Sequence, residues 1–428
     1  MSSHDGESLE TTEASPETAE ASPETAAFGQ DDVSAVGEEP PSRKWSRRRW
    51  KVITIVAVVL AAIILASSLI SLPYYAITPG ASQSVLPLIG VPAAHSQNHN
   101  GSIDLVDVEV TPLRLIDWLY FKLDPNATLY SSAAIQGPET SAQYNIEGVL
   151  DMADAQQAAT VVALTQLGYH VTVIPNGSLV YALDPGSPAD AGLQVGDVII
   201  GIGSQAVNSP TALSAALFPY KIGESLTIRY RPFQSSVAKT ATIQTGAWRW
   251  MGTGSNQQLT CLPAAAKSSL PIAKLYDDKG ALYLPTKQHP GGATACLGVL
   301  DAEPSYHVVL PFQVDLNSEG IVGPSAGLAF TLGLMQKLDT GNLTGGLKVA
   351  ATGTMSVTGQ IGAIGGIQQK TIAVRSSGAS IFLVPPDNYA IAKKYAGSTL
   401  KVFAVSTIAQ ALSVLERYGG KVVKVTGS

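Results

Sequence analysis

Two residues have the type and setting for nucleophilic chemistry on an amide, Ser325 and Lys370. Ser325 follows Gly323-Pro324 and precedes Ala326-Gly327. It opens an apolar run, Leu328 to Met335, with helical spacing and no charge until Lys337. Proline before a helix has its φ preset, and flanking glycines let the backbone turn sharply and leave the hydroxyl uncovered. Lys370 follows a second glycine-rich turn, Gly362 to Gly366, in the first turn of the helical stretch Ile367 to Arg375. A serine and a lysine so placed can act together: the deprotonated amine takes the hydroxyl proton and the alkoxide attacks a carbonyl. The amine must first lose its charge. Its pKa has to fall from about 10.4 toward 7, a penalty of roughly 4 kcal/mol on the charged form, which burial can supply. No Asp or Glu lies between Asp339 and Asp387, so the local chain offers no carboxylate to hold the lysine protonated. Lys370 is therefore expected to be largely neutral near pH 7, unless a carboxylate arrives through space. Taken singly, the two halves also fit a plain helix cap and an exposed helical lysine.

The elements around them alternate strand and helix. Val308 to Val314 is apolar around Pro311 and reads as a strand leading to the serine turn. Ser380 to Pro386 reads as a buried strand capped by prolines, Leu400 to Val405 as another, and Ile408 to Arg417 as an amphipathic helix. The fold class is α+β or α/β. Three ordered motifs, Gly323 to Gly327, Thr352-Gly353 and Gly365-Gly366-Ile367-Gln368-Gln369-Lys370, span the segment from near His307 to near Arg417. This stretch resembles the proteolytic domain of the Lon family of Ser-Lys peptidases. The resemblance implies Ser325 as nucleophile, Lys370 as general base and Thr352 as the threonine that hydrogen-bonds and orients the lysine. ATP-dependent members usually carry an acid three positions before the serine; here it is Val322. No Gly-x-x-x-x-Gly-Lys-Ser/Thr occurs in the sequence, so an ATP-independent endopeptidase acting on unfolded or flexible chains is expected.

Upstream, Ser178 to Leu183 reads as a strand, Asp184-Pro185-Gly186-Ser187-Pro188-Ala189 as a turn into a short helix, and Ala191 to Ile199 as a return to a strand. The order Ser-Pro-Ala, Ala-Gly-Leu, Gly-Asp-Val-Ile resembles a PDZ domain of the bacterial type. The match extends through Ser209-Pro210 and a helix to Gly223-Glu224 and the strand Leu226 to Arg231. PDZ domains bind an extended peptide end at a sheet edge. The carboxylate-binding loop stays open, with Leu167-Gly168-Tyr169-His170 one candidate. A spacer that binds no peptide is the bland alternative.

Charge is segregated along the 428 residues. Residues 1–42 hold eleven acidic residues and no Lys or Arg, with Ala-Ser-Pro-Glu-Thr-Ala written twice, the pattern of a disordered tail. Arg43, Lys44, Arg47, Arg48, Arg49 and Lys51 follow, and Val52 to Leu72 is uncharged, long enough to cross a membrane. Basic residues stay inside, so the sequence predicts a single-pass cell-membrane protein with a cytoplasmic N-terminus and its other domains extracellular. Tyr74 and Tyr75 fall where the outer interface would lie. A cleaved signal peptide is the competing reading, but its apolar region is shorter and nearer the terminus. Cys261 and Cys296 then share an oxidising compartment and can pair across about 35 residues. No His flanks them at metal-ligand spacing, and neither metal nor cofactor is expected.

The expected division is an acidic tail over 1–42, a basic flank and transmembrane helix over 43–72, and a juxtamembrane α/β region over 73–164. A PDZ-like domain over 165–246, a linker merging into the catalytic domain over 247–300, and a Lon-type proteolytic domain over 301–428 complete it. In the juxtamembrane region Ile103 to Val110 alternates like a half-buried strand and Ile146 to Leu167 reads as a helix without chemistry. The architecture as a whole (anchor, PDZ block, Lon-type domain) resembles the membrane-anchored, PDZ-containing Lon-like proteases of bacteria. Its partners are then polypeptide substrates and the membrane, not nucleic acid, with a homo-oligomer left open. The rival class is a membrane-tethered PDZ scaffold with an inactive protease fold.

Overall fold

The computed structural model describes residues 47–137, 141–233, 235–251, 258–266 and 295–423. The acidic tail, Arg43, Lys44 and much of the linker expected over 247–300 lie outside the described residues.

Helix α1 (Arg47–Leu69) holds the apolar run; from Arg49 it is long and apolar enough to cross a membrane. Beyond it come β1 (Ser71–Ser84), β2 (Ile89–Gly90), β3 (Ser102–Arg114), α2 (Leu115–Leu123), β4 (Thr128–Ser131), α3 (Ser132–Gln136) and the long helix α4 (Ser141–Leu167). Gly168, at φ +94°, ends α4 where only glycine is at ease. The second block runs β5 (Thr172–Leu183), β6 (Val198–Ile202), β7 (Gln205–Ala206), α5 (Pro210–Leu217), β8 (Ser225–Arg231) and β9 (Lys239–Gln244). Next are β10 (Gly246–Met251), β11 (Gln258–Pro263), β12 (Ala295–Cys296), β13 (Val299–Val309) and β14 (Asp315–Leu316). The last block holds α6 (Gly327–Leu338), β15 (Lys348–Ala351), β16 (Thr354–Met355), β17 (Ile361–Gly362), α7 (Ile367–Ser376), β18 (Ile381–Val384), α8 (Pro386–Tyr395), β19 (Lys401–Ala404) and α9 (Ile408–Arg417).

The main sheet has the order β19-β18-β15-β3-β1-β4. Its first four strands are parallel; β1 pairs antiparallel with β3, and β4 antiparallel with β1, so that β1 alone runs against the rest. Side chains alternate across it, as the pleat requires. Ile103, Leu105, Val349, Ala351, Ile381 and Leu383 pack with α4, α6 and α9 on one face. Val106, Ala350, Phe382, Val384 and Val402 pack with α7 and α8 on the other. The result is a three-layer arrangement with helices on both faces.

This corrects two sequence expectations. Residues 73–164 do not form a separate juxtamembrane region, because β1, β3 and β4 belong to the same sheet as β15, β18 and β19. Nor is the first half of β3 half-buried: Ile103 through Val106 are all buried, covered on both sides where the strand lies in the middle of the sheet, whereas Glu109 and Val110 beyond them are exposed. The buried carboxylate of Asp104 is held by the Ser102 hydroxyl at 2.8 Å and by Lys348 at 3.2 Å.

The second sheet has the order β13-β5-β6-β8-β9, with β7 on β6. Its core is Leu179, Val180, Leu183, Leu193, Ile199, Ile228 and their neighbours, and it also takes Leu150 from α4. The edge strand β13 pairs with β5 from Val299↔Leu183 to Val309↔Thr172. The sheet boundary therefore does not fall at 246 or 301. The strand expected over Val308 to Val314 ends at Val309, two residues before Pro311, which has no N–H for a ladder. The PDZ-like fold is thus an insertion: the chain leaves the main core through α4 and returns to it through β13.

Cys261 and Cys296 are disulfide-bonded, with Cα atoms 6.0 Å apart, and link β11 to β12 on either side of β10. Folded, unreduced protein should titrate no free thiol. Replacing both cysteines by serine should lower stability by about 3–4 kcal/mol in a denaturant melt, because the unfolded chain regains the closed loop's freedom. Two reactive thiols in native protein would contradict the bond.

Candidate active site

Ser325 sits in a 3-10 turn, Pro324–Ala326, that leads directly into α6. Gly323 enters the turn at φ +90°, and its N–H donates to the Gly148 carbonyl of α4 at 2.7 Å. The helix that read as chemically silent thus backs the serine turn. The Ser325 carbonyl accepts from the Gly353 N–H at 2.9 Å and from the Thr352 hydroxyl at 3.1 Å. The Leu328 N–H returns a bond to the Gly353 carbonyl at 3.1 Å. Residues 352 and 353 follow directly on β15, and the Thr352 N–H is fixed to the Leu383 carbonyl of β18 at 3.0 Å. The serine backbone is therefore pinned to the centre of the main sheet.

Lys370 lies in the first turn of α7. Gly366 caps that helix in the left-handed region, and a Cβ there would also press to 2.9 Å on Val108. The preceding turn is clamped by Asn388, whose side chain accepts from the Ile364 N–H and donates to the Ile364 carbonyl, both at 2.9 Å. Gln369, buried beside the lysine, donates to the Thr128 hydroxyl at 2.7 Å, at the start of β4. With the turn before its helix clamped by α8 and the helix itself tied to β4, Lys370 is only 3% exposed and its Nζ donates to the Ser325 Oγ at 2.6 Å. The structure brings together the two residues singled out in the sequence.

Burial lowers the Lys370 pKa to about 8, and the Asp107 carboxylate pulls in the opposite direction. That carboxylate is the one that arrives through space. It comes from β3, 263 positions before the lysine by residue number (370 less 107), and accepts the Ala81 N–H at 2.5 Å. It packs over Gly80 so closely that a Cβ there would fall 2.0 Å from its Oδ1. The expectation of a largely neutral lysine near pH 7 is corrected accordingly. With a pKa of about 8, about one molecule in ten carries the free amine at pH 7.

Thr352 is placed beside the serine, and its proton goes to the Ser325 carbonyl rather than toward the lysine. Val322 points to solvent, 54% exposed, beside Gly148 of α4. The residues that sequence reasoning missed are Gly80, Asp107, Gly148, Gln369 and Asn388. Only Gln369 lies inside a motif. The others act through pairings that no local pattern announces.

Residues 317–417 match the model of the Lon protease (S16) C-terminal proteolytic domain, and residues 179–228 match that of the PDZ domain. The chain carries a Lon-type proteolytic domain and a PDZ domain. A mitochondrial Lon protease homolog of Neurospora crassa is 39% identical over 67 residues, 15% of this chain and 6% of that protein's length. Among solved structures, the PDZ domain of an SdrC-like protein from Listeria innocua is 22% identical, covering 20% of this chain and 92% of that one at a TM-score of 0.16. Its counterpart from Listeria monocytogenes is 18% identical, covering 28% and 87% at a TM-score of 0.16.

Two expectations follow from the geometry. A lysine with a folded pKa of about 8, below its unfolded value, destabilises the native state most below pH 8, and the penalty fades as pH rises toward 10.5. Lys370→Met should therefore be more stable than the parent by about 3 kcal/mol at pH 7, with the gap closing by pH 10.5 in denaturant melts. A gap that does not change with pH would show that folding does not lower the lysine pKa. Asp107→Asn removes the influence that raises the lysine pKa, so the acidic limb of a pH–rate profile should move to lower pH. A limb that stays in place would remove Asp107 from the account.

Proposed function

We propose that this protein is an ATP-independent serine endopeptidase using a Ser325–Lys370 dyad. The observation that carries the reading is the 2.6 Å contact between Lys370 Nζ and Ser325 Oγ, made by a lysine that burial has brought to a pKa of about 8. In its neutral form Lys370 accepts the serine proton as Oγ attacks the scissile carbonyl. The oxyanion develops at the start of α6, where main-chain N–H groups lack helical partners; Pro324 has none, so the amides of Ser325 and Ala326 are the donors proposed. The lysine ammonium returns its proton to the departing amine, and water repeats the sequence on the acyl-serine. Thr352 is a positioning residue: it fixes the serine carbonyl and leaves lone pairs, not a proton, for the ammonium.

The absence of a phosphate-cradling motif from this sequence supports a substrate that needs no ATP-driven unfolding, so the chains cleaved are unfolded, flexible or terminal. The PDZ domain selects them. We read α1 as a single-pass anchor with a cytoplasmic N-terminus and everything after it extracellular. The six basic residues before Val52 support that sidedness, and the disulfide fits an oxidising compartment.

Ser325→Ala and Lys370→Ala should each remove nearly all cleavage of an unfolded protein by the full chain in detergent. The double variant should be little worse, because the pair acts as a unit. Lys370→Arg should be equally inactive, since a guanidinium does not give up its proton. Substantial turnover by Lys370→Arg would rule the lysine out as base. A parent protein with no cleavage activity would favour the binding-scaffold reading instead.

A further inference from the structure

Helix α2 is built inside out. At 100° per residue, Leu115, Ile116, Leu119, Tyr120 and Leu123 fall on one face, and that face points to solvent. Leu119 is 59% exposed, Tyr120 69% and Leu123 76%. The side turned toward the sheet carries Asp117, Trp118 and Phe121, all half-buried. A helix on a water-soluble surface shows the reverse pattern. Five large apolar or aromatic side chains on nine residues need something to cover them.

The neighbourhood of α2 identifies the cover. The Leu115 N–H donates to the Ile70 carbonyl at 2.9 Å, and Ile70 is the first residue after α1. The start of α2 is thus fixed at the level where the chain leaves the long apolar helix. Tyr74 on β1 and Tyr130 on β4 are also exposed, and β4 pairs with β1 beside them through Tyr74↔Ser131 and Tyr75↔Tyr130. Lys122 lies over the Trp118 ring at 5.7 Å, at the margin of the apolar face, where a long cationic side chain reaches water from a lipid boundary. Tyrosines, a tryptophan and a marginal lysine around an apolar stripe are the composition of a helix lying in a membrane interface.

We propose that α2 lies in the headgroup–acyl boundary of the leaflet into which α1 ends, apolar face toward the hydrocarbon. The body is then held at two points, and this second contact sets its height and tilt over the bilayer. The proposal rests on reading α1 as a membrane span, and the test separates the two.

Full-length protein with one added cysteine, at Leu119, Leu123, Val58 or Val237, is nitroxide-labelled and reconstituted into phosphatidylcholine–phosphatidylglycerol vesicles. The native cysteines are bonded to each other and take no label. Collision with oxygen, which partitions into lipid, is compared with collision with a water-soluble nickel chelate. Labels at Leu119→Cys and Leu123→Cys should show an oxygen-to-nickel ratio severalfold above that of Val237→Cys, which lies on the exposed surface of the PDZ sheet's block. Val58→Cys, in the middle of α1, should show a higher ratio still. If positions 119 and 123 read as water while Val58 reads as hydrocarbon, the proposal falls and the span stands. If Val58 also reads as water, the span reading fails and takes the proposal with it. Labels at 119 and 123 shielded from both colliders mean that a second copy or another protein covers the face, which overturns the proposal.

Discussion

Everything in the catalytic unit bears on keeping one amine dry beside one hydroxyl. A lysine at 3% exposure is a liability to the fold, and the burial that lowers its pKa also makes it costly. The protein spends structure on holding it there. Gly366 and the Asn388 clamp shape the turn before α7, Gln369 ties that helix across to β4, and residues 352–353 pin the serine to the middle of the sheet. None of these contacts is strong alone. Their common effect is to tie the backbones that carry Ser325 and Lys370 to strands and helix ends.

Asp107 refines this arrangement. A fully desolvated lysine without a neighbouring charge would sit lower in pKa and be a weaker base. A carboxylate on β3 returns part of the basicity and keeps the value near 8. Its placement needs Gly80, where the backbone must pass beneath the carboxylate with no side chain between.

The Ser325 and Lys370 turns were legible because their signals are local: a proline and glycines before a helix, and a charge-poor stretch around a lysine. The same holds for α9, whose predicted span of Ile408 to Arg417 is the observed one, and for the order of motifs in the PDZ block. What could not be read is pairing. Ile103 to Val110 alternates like a strand with one wet face, yet its first half, Ile103 to Val106, is buried on both, because β15 joins it there with the register Lys348↔Ser102 across 246 positions (348 less 102). The pattern of β3 says strand; only its partner says centre. The through-space carboxylate was invisible for the same reason, as was the role of α4, which packs on the main core through Met152 and Leu164 and on the inserted domain through Leu150.

That long-range register has a kinetic meaning. As the chain is made, β1 and β3 come first and the inserted domain can close on itself through β13. One edge of β3 remains bare until residue 348 arrives, and long loops of this kind close late. The serine turn waits with it, since its two anchors, Gly353 and Thr352, follow β15. Ser325 and Lys370 therefore meet only once β15 and α7 are both in place. On the proposed reading, a half-made molecule has no assembled pair with which to cut its own unfolded segments.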